Sequence, residues 1–181
     1  PPEPQEETLV TDASWEGNMC GYITVFEDGG RYRMYYKASR MKLTEGDIEE
    51  THPLFIAYAE SSDGLSWEKP DVGIYEFNGS KQNNLVWMGA GEEQRGIHGF
   101  SPFRDFHPEC SAGSRYKAVG GARAATRGDF HAMHSPDGIR WSLMREEPIM
   151  LHERDGAFDS QNLAFYDSVR KEYRAYVRDF N

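Results

Sequence analysis

The chain has 181 residues, 38 % of them hydrophobic and 13 % aromatic, with 20 basic against 30 acidic side chains and a formal net charge of −10. This length suffices for one domain with a sizeable core. The acidic balance, without a basic stripe, argues against a nucleic-acid partner, and no apolar run approaches the roughly 18 residues of a membrane-spanning helix.

Residues 1–14, rich in Pro and Glu, read as a flexible N-terminal arm with little to bury. No signal-peptide pattern is visible, and localisation is left open. From Trp15 the strand signals begin. Residues 22–26 are a run of strand formers, Glu27-Asp28-Gly29-Gly30 is a hairpin turn, and residues 32–37 form the returning strand. The polar stretch 40–52 reads as a loop, 54–59 as a third strand, and 73–83 as a second loop. A new cycle starts near Phe100, with strands expected at 103–106, 116–120, 130–134 and 141–145. A third cycle opens over 156–166, turns at 168–171 and returns over 173–177. Helical periodicity is nearly absent.

The cycles repeat in sequence. Ser61-Ser62-Asp63-Gly64-Leu65-Ser66-Trp67 and Ser135-Pro136-Asp137-Gly138-Ile139-Arg140-Trp141 share the pattern S-x-D-G-x-x-W. A charged residue, a tyrosine and a base head a strand three times, as Arg31-Tyr32-Arg33, Arg115-Tyr116-Lys117 and Glu172-Tyr173-Arg174. An amide-led apolar run occurs twice, as Asn83-Asn84-Leu85-Val86-Trp87 and Gln161-Asn162-Leu163-Ala164-Phe165. A repeated unit of about four short antiparallel strands that cannot bury its face alone is the blade of a β-propeller. The expected fold is therefore all-β. Blade 1 is expected over about 15–97 and blade 2 over about 98–152, with the start of blade 3 over about 153–181. In the repeated turn the Ser hydroxyl and Asp carboxylate are expected to bond their own backbone while the Trp fills space between strands.

With Trp15-Glu16-Gly17, Phe103-Arg104-Asp105-Phe106 and Phe158-Asp159-Ser160-Gln161-Asn162 added, the chain resembles the five-bladed propeller glycosidases. These are the invertases, levansucrases and arabinanases of glycoside hydrolase families 32, 43 and 68. The resemblance implies a glycosidase acting on an oligo- or polysaccharide through carboxylates near the propeller axis. It assigns Asp105, the Asp of an Arg-Asp pair where the family has R-D-P, to positioning the sugar. Asp159 becomes an acid/base or nucleophile candidate and Glu16 the third carboxylate. The family's N-D-P-N-G motif is missing, and Glu109-Cys110 lies too close to Asp105 to serve as the E-C-P-like motif. Trp15 and Phe106 become candidates to stack on a sugar ring, and Arg104, Gln161 and Asn162 to bind its hydroxyls. The resemblance also implies further blades beyond Asn181, without which the chain should be inactive.

Paired carboxylates suit this chemistry because one protonates the leaving oxygen while the other attacks or activates water. A glycoside phosphorylase on the same fold is the alternative, marked by Arg or His at the axis, and a non-catalytic carbohydrate-binding propeller is a third reading. No cofactor and no metal-ligand set is read from the sequence, an axial calcium ion being left open. His131 and His134 are excluded as a metal pair because positions i and i+3 of a strand face opposite sides. Cys20 and Cys110 are too few for a disulfide scaffold or zinc cage and read as buried thiols, a single bridge being the alternative.

Overall fold

The computed structural model describes residues 8–121, 128–154 and 157–179, and these are almost wholly antiparallel β-structure. The first sheet is a meander of β1 (Met19–Glu27), β2 (Tyr32–Thr44), β3 (Asp47–Ser61) and β4 (Leu85–Trp87), bonded in that order. The second contains β5 (His98–Arg104), β6 (Tyr116–Gly121), β7 (Gly128–Ser135) and β8 (Ser142–Leu143). A further short strand, β9 (Met150–His152), continues the β8 side by pairing with the start of β7. In the third sheet β10 (Leu163–Asp167) pairs with β11 (Glu172–Tyr176). Among the described residues there is one 3-10 turn, Ala112–Ser114, and no helix long and apolar enough to cross a membrane.

The sheets stack face to face in chain order. Tyr35, Leu54, Ile56, Tyr58, Val86 and Trp87 of the first sheet meet Phe100, Tyr116, Ala118, Met133 and Trp141 of the second. Val119 and Phe130 on the opposite face of the second sheet meet Phe158 and Ala164 of the third unit. Strand β3 is buried on both faces from Leu54 to Ala59, which is why that segment is a continuous apolar run and not an alternating one. The first strand of the second sheet, β5, lies against both β1 and β10. The stack is open among the described residues: no sheet closes on itself.

Both S-x-D-G-x-x-W turns fold alike. Ser61 Oγ accepts from the amide of Gly64 at 2.8 Å, and Asp63 Oδ1 accepts from Leu65 and Ser66 at 2.8 and 2.7 Å. Ser135 and Asp137 repeat these bonds to Gly138, Ile139 and Arg140 at 2.9, 2.8 and 2.8 Å. Gly64 and Gly138 take φ of +76° and +78°, the left-handed conformation the turn requires. Trp141 fills the space between the first two sheets, 5.1 Å edge-on to Phe100. Trp67 packs on the outer face of the first sheet.

Four expectations change. Residues 40–52 are not a loop, because β2 and β3 continue as a long hairpin to a tight turn at Glu45-Gly46. Toward its tip the hairpin is exposed on both faces, Leu43 and Ile48 included, and Lys42 pairs with Glu49 across the strands. The first strand of the second cycle begins at His98, ahead of 103–106, because the chain passes Gly99 through a β-bulge. Residues 8–14 have something to bury: Leu9 packs on the first sheet, and Lys69 Nζ holds the Val10 carbonyl and Asp12. Residues 1–7 of the expected arm lie outside the described residues. The cysteines are free, and Cys20 is exposed, not buried.

Candidate functional site

The sequence-predicted residues fall in three places. Glu16 and Trp15 lie just before β1. The Glu16 side chain is wholly buried. It accepts from Tyr36 Oη at 2.5 Å, from the Ala13 amide at 2.8 Å and from Lys69 Nζ at 2.8 Å. Trp15 packs on the first sheet and donates Nε1 to Asn84 Oδ1 at 2.7 Å. Together they brace the chain's approach to β1.

Asp105, Arg104 and Phe106 sit at the far end of β5. The Asp105 side chain is fully buried and saturated. Lys117 Nζ and Tyr173 Oη, the latter at 2.7 Å, donate to Oδ2, and the His107 amide donates to Oδ1 at 2.9 Å. Burial would raise its pKa, but the bonds from Lys117, the His107 amide and Tyr173 outweigh it and hold the carboxyl below its ordinary value. Asp105 is thus a fixed anion between the second and third sheets. Arg104 Nη1 donates to Asp28 Oδ1 at 2.6 Å, and its guanidinium lies over Phe106, which is exposed.

Asp28 repeats this arrangement one sheet earlier. Its Oδ2 accepts from Arg33 Nε and from Tyr116 Oη, both at 2.6 Å. Each Asp follows the residue that pairs with the tyrosine heading the second strand: Glu27 pairs with Tyr32 and Arg104 with Tyr116. Each takes a base from its own sheet and a phenol from the next. Asp28–Arg33–Tyr116 and Asp105–Lys117–Tyr173 are therefore one repeated inter-sheet staple, and the tyrosine-then-base signature in the sequence is its trace.

Asp159, Gln161 and Asn162 occupy the third place, at the head of β10, where the starts of β1 and β5 also come together. Asp159 Oδ1 shares a 2.8 Å hydrogen bond with His98 Nε2. The Asp159 side chain is 55 % exposed and that of His98 is 26 % exposed. Tyr22 stands edge-on to His98 with ring centroids 5.4 Å apart. Burial, reinforced by Asp159, pushes the Tyr22 phenol up. Arg178 Nη1 donates to the Asp159 carbonyl and lies 3.6 Å from Oδ2. Buried Asn162 donates to the Phe158 and Ser160 carbonyls and accepts from the Arg178 amide at 2.7 Å, so it shapes the loop that carries Asp159. Gln161 Nε2 ties that loop to β1 through Thr24 Oγ1 at 2.8 Å.

Local backbone geometry is unusual at this spot. Both first strands bulge here, β1 between Gly21 and Thr24 and β5 between His98 and Ser101. Tyr22 and Phe158 take positive φ, +49° and +62°. A Cβ on Gly99 would stand 2.3 Å from the Ser160 carbonyl oxygen, so only glycine lets the Asp159 loop approach. Bulges and left-handed non-glycine residues concentrate at functional sites, where they re-aim side chains.

The structure does not bring Asp105 and Asp159 together. Asp159 meets His98 at the start of β5, whereas Asp105 follows Arg104 at its end. A seven-residue strand separates them by about 20 Å at roughly 3.3 Å per residue. His98 and Tyr22 were not among the sequence candidates. The His98-Gly99 step ahead of an aromatic is a faint signal, and the left-handed turn at Tyr22 leaves none.

No family model matches the chain. Two curated Mycobacterium tuberculosis proteins are similar to it, the uncharacterized protein MT1551 of strain CDC 1551 / Oshkosh and the uncharacterized protein Rv1502 of strain ATCC 25618 / H37Rv. Each is 44 % identical over 129 residues, which are 71 % of this chain and 36 % of the relative. The chain thus spans about a third of the length of the curated relatives it matches.

Proposed function

We propose that the stacked sheets are consecutive blades of a propeller of the five-bladed glycosidase type. In this reading the protein acts on glycosidic bonds of an oligo- or polysaccharide, with Asp159 as its acid/base group. One observation carries the reading: of the three predicted acids, Asp159 alone is accessible, and it lies where the first strands of all three sheets converge and two of them bulge. There Asp159 protonates the oxygen of the departing sugar, while His98 fixes the carboxyl's orientation. Gln161 and Asn162 serve by holding the loop, not by binding sugar directly.

A specific feature favours phosphorolysis over hydrolysis as a second reading. Hydrolysis by paired acids needs a second carboxylate about 5–10 Å away; Asp105 lies at the far end of β5, and Glu16 is wholly buried and bonded to Tyr36, Lys69 and the Ala13 amide. Phosphorolysis needs one acid and a cationic seat, and His98 and Arg178 both flank Asp159. A phosphate oxygen attacks the anomeric carbon, the bond to the leaving oxygen breaks with its electron pair, and that oxygen takes the Asp159 proton.

The test is turnover of aryl glycosides and short oligosaccharides, with and without inorganic phosphate, by the protein carrying all the blades that this reading requires. Turnover without phosphate supports hydrolysis, and strictly phosphate-dependent turnover supports phosphorolysis. In either case Asp159→Asn lowers the rate by about a hundredfold or more. Sugar binding without turnover, or an unchanged rate in Asp159→Asn, would overturn the proposal in favour of a binding module.

A further inference from the structure

Tyr22 holds a backbone conformation that packing does not explain. It sits in the bulge of β1, between the paired residues Gly21 and Thr24, and takes φ of +49°. Glycine enters that region freely, whereas a side chain there costs free energy. Burial returns little, because the residue is only partly buried and its ring contact among the described residues is with His98. A strained tyrosine in such a place points to a use for its side chain.

The surroundings aim Tyr22 at the accessible carboxylate. Gln161 Nε2 donates to the Ile23 carbonyl at 3.1 Å and to Thr24 Oγ1 at 2.8 Å, so the loop that carries Asp159 grips the bulge itself. The Tyr22 and His98 rings meet edge-on at an angle of 71°, and His98 Nε2 is the atom bonded to Asp159 Oδ1. Asp159 raises the pKa of the Tyr22 phenol and Arg178 lowers it, so the phenol stands in the field of both charges. One wall beside Asp159 is therefore aromatic. The other aromatic candidates stand elsewhere, Trp15 packed on the first sheet and Phe106 beyond the far end of β5.

We propose that Tyr22 is the platform on which the sugar ring beside Asp159 stacks. A sugar ring has polar edges and faces of C–H bonds, and an aromatic side chain suits such a face. The substrate class that follows is a sugar that turns an unbroken C–H face to the β1 bulge while its polar edge meets Asp159 and Arg178. The inference rests on the proposed activity for its ligand but not for the chemical step. Stacking is made alike with bound substrate and transition state, so Tyr22 contributes to binding and not to bond cleavage.

Tyr22→Ala, Tyr22→Gly and Tyr22→Phe test it in the protein carrying all the blades, with folding followed by thermal unfolding. Glycine takes the left-handed backbone without strain, so Tyr22→Gly removes the ring without forcing the chain from its fold. The probes are unsubstituted gluco-, galacto-, manno- and arabino-oligosaccharides. Their affinities are read by calorimetry in an Asp159→Asn background, and KM and kcat in the parent protein. The expected result is a Kd and KM raised about tenfold or more by Tyr22→Ala and Tyr22→Gly, with kcat falling less than KM rises, and a smaller rise in Tyr22→Phe, which keeps the ring. Unchanged affinity in Tyr22→Gly would overturn the inference even where Asp159→Asn abolishes turnover, as would an equal loss in Tyr22→Phe or a loss confined to kcat. Sugar binding that Tyr22→Gly weakens, in a protein without turnover, would sustain this inference and overturn the proposed activity. A protein that binds none of the probes would overturn both.

Discussion

At the scale of single residues, the carboxylates divide by solvation. Asp105 and Glu16 are saturated by cations, phenols and amides inside the protein, whereas Asp159 faces water with one imidazole partner. The sequence marks all three equally as acids near strand ends, because local sequence carries no record of what the neighbouring sheet contributes. The phenol on Asp105 comes from Tyr173. His131 is a second residue whose state only the tertiary structure defines. It is buried on the face of β7 toward the first sheet, and neither ring nitrogen has a hydrogen-bond partner among the described residues. Burial lowers its pKa, so it folds neutral. The unfolded chain protonates this ring first, near its ordinary value of about 6.5, and stability therefore falls as pH drops below that value toward the lower folded one. His131→Leu removes both the unpartnered nitrogens and this proton linkage. Urea unfolding at pH 7 and pH 5 should show a smaller loss of stability in the variant than in the wild type.

At the scale of elements, the repeat was legible where it is local and hidden where it is relational. The S-x-D-G-x-x-W turns are closed by bonds within five or six consecutive residues, so their form could be read directly. The tyrosine-then-base strand starts were visible too, but their purpose was not, since each staple joins residues of two sheets. The hairpin over 40–52 was missed because a strand pair exposed on both faces has no need of apolar alternation. The staples also carry an acid signature. In Asp28, as in Asp105, the bonds from tyrosine and base outweigh burial and depress the folded pKa. Their stabilising contribution is present above the unfolded carboxyl value of about 3.9 and is lost as pH falls through the lower folded values. Asp28→Asn should therefore cost about 2 kcal/mol at neutral pH and flatten the acid limb of stability measured by urea titration between about pH 5 and pH 2.

At the scale of the molecule, three antiparallel sheets stack so that the starts of their first strands converge on Asp159, and the staples hold the stack at the opposite end of those strands. The candidate site and the mechanical support thus stand about one strand length apart. This division explains how the Arg-Asp pair at 104–105, attractive as a catalytic motif, belongs to the support, while the site gathers residues from β1, β5 and the head of β10. The most direct check is a side-by-side measurement of thermal unfolding and glycoside turnover in Asp105→Asn and Asp159→Asn. The account predicts that Asp105→Asn loses on the order of 3 kcal/mol of stability, as expected when a buried charge pair is broken, whereas Asp159→Asn keeps its melting temperature and loses turnover. A stable Asp105→Asn protein without turnover, alongside a fully active Asp159→Asn protein, would contradict it.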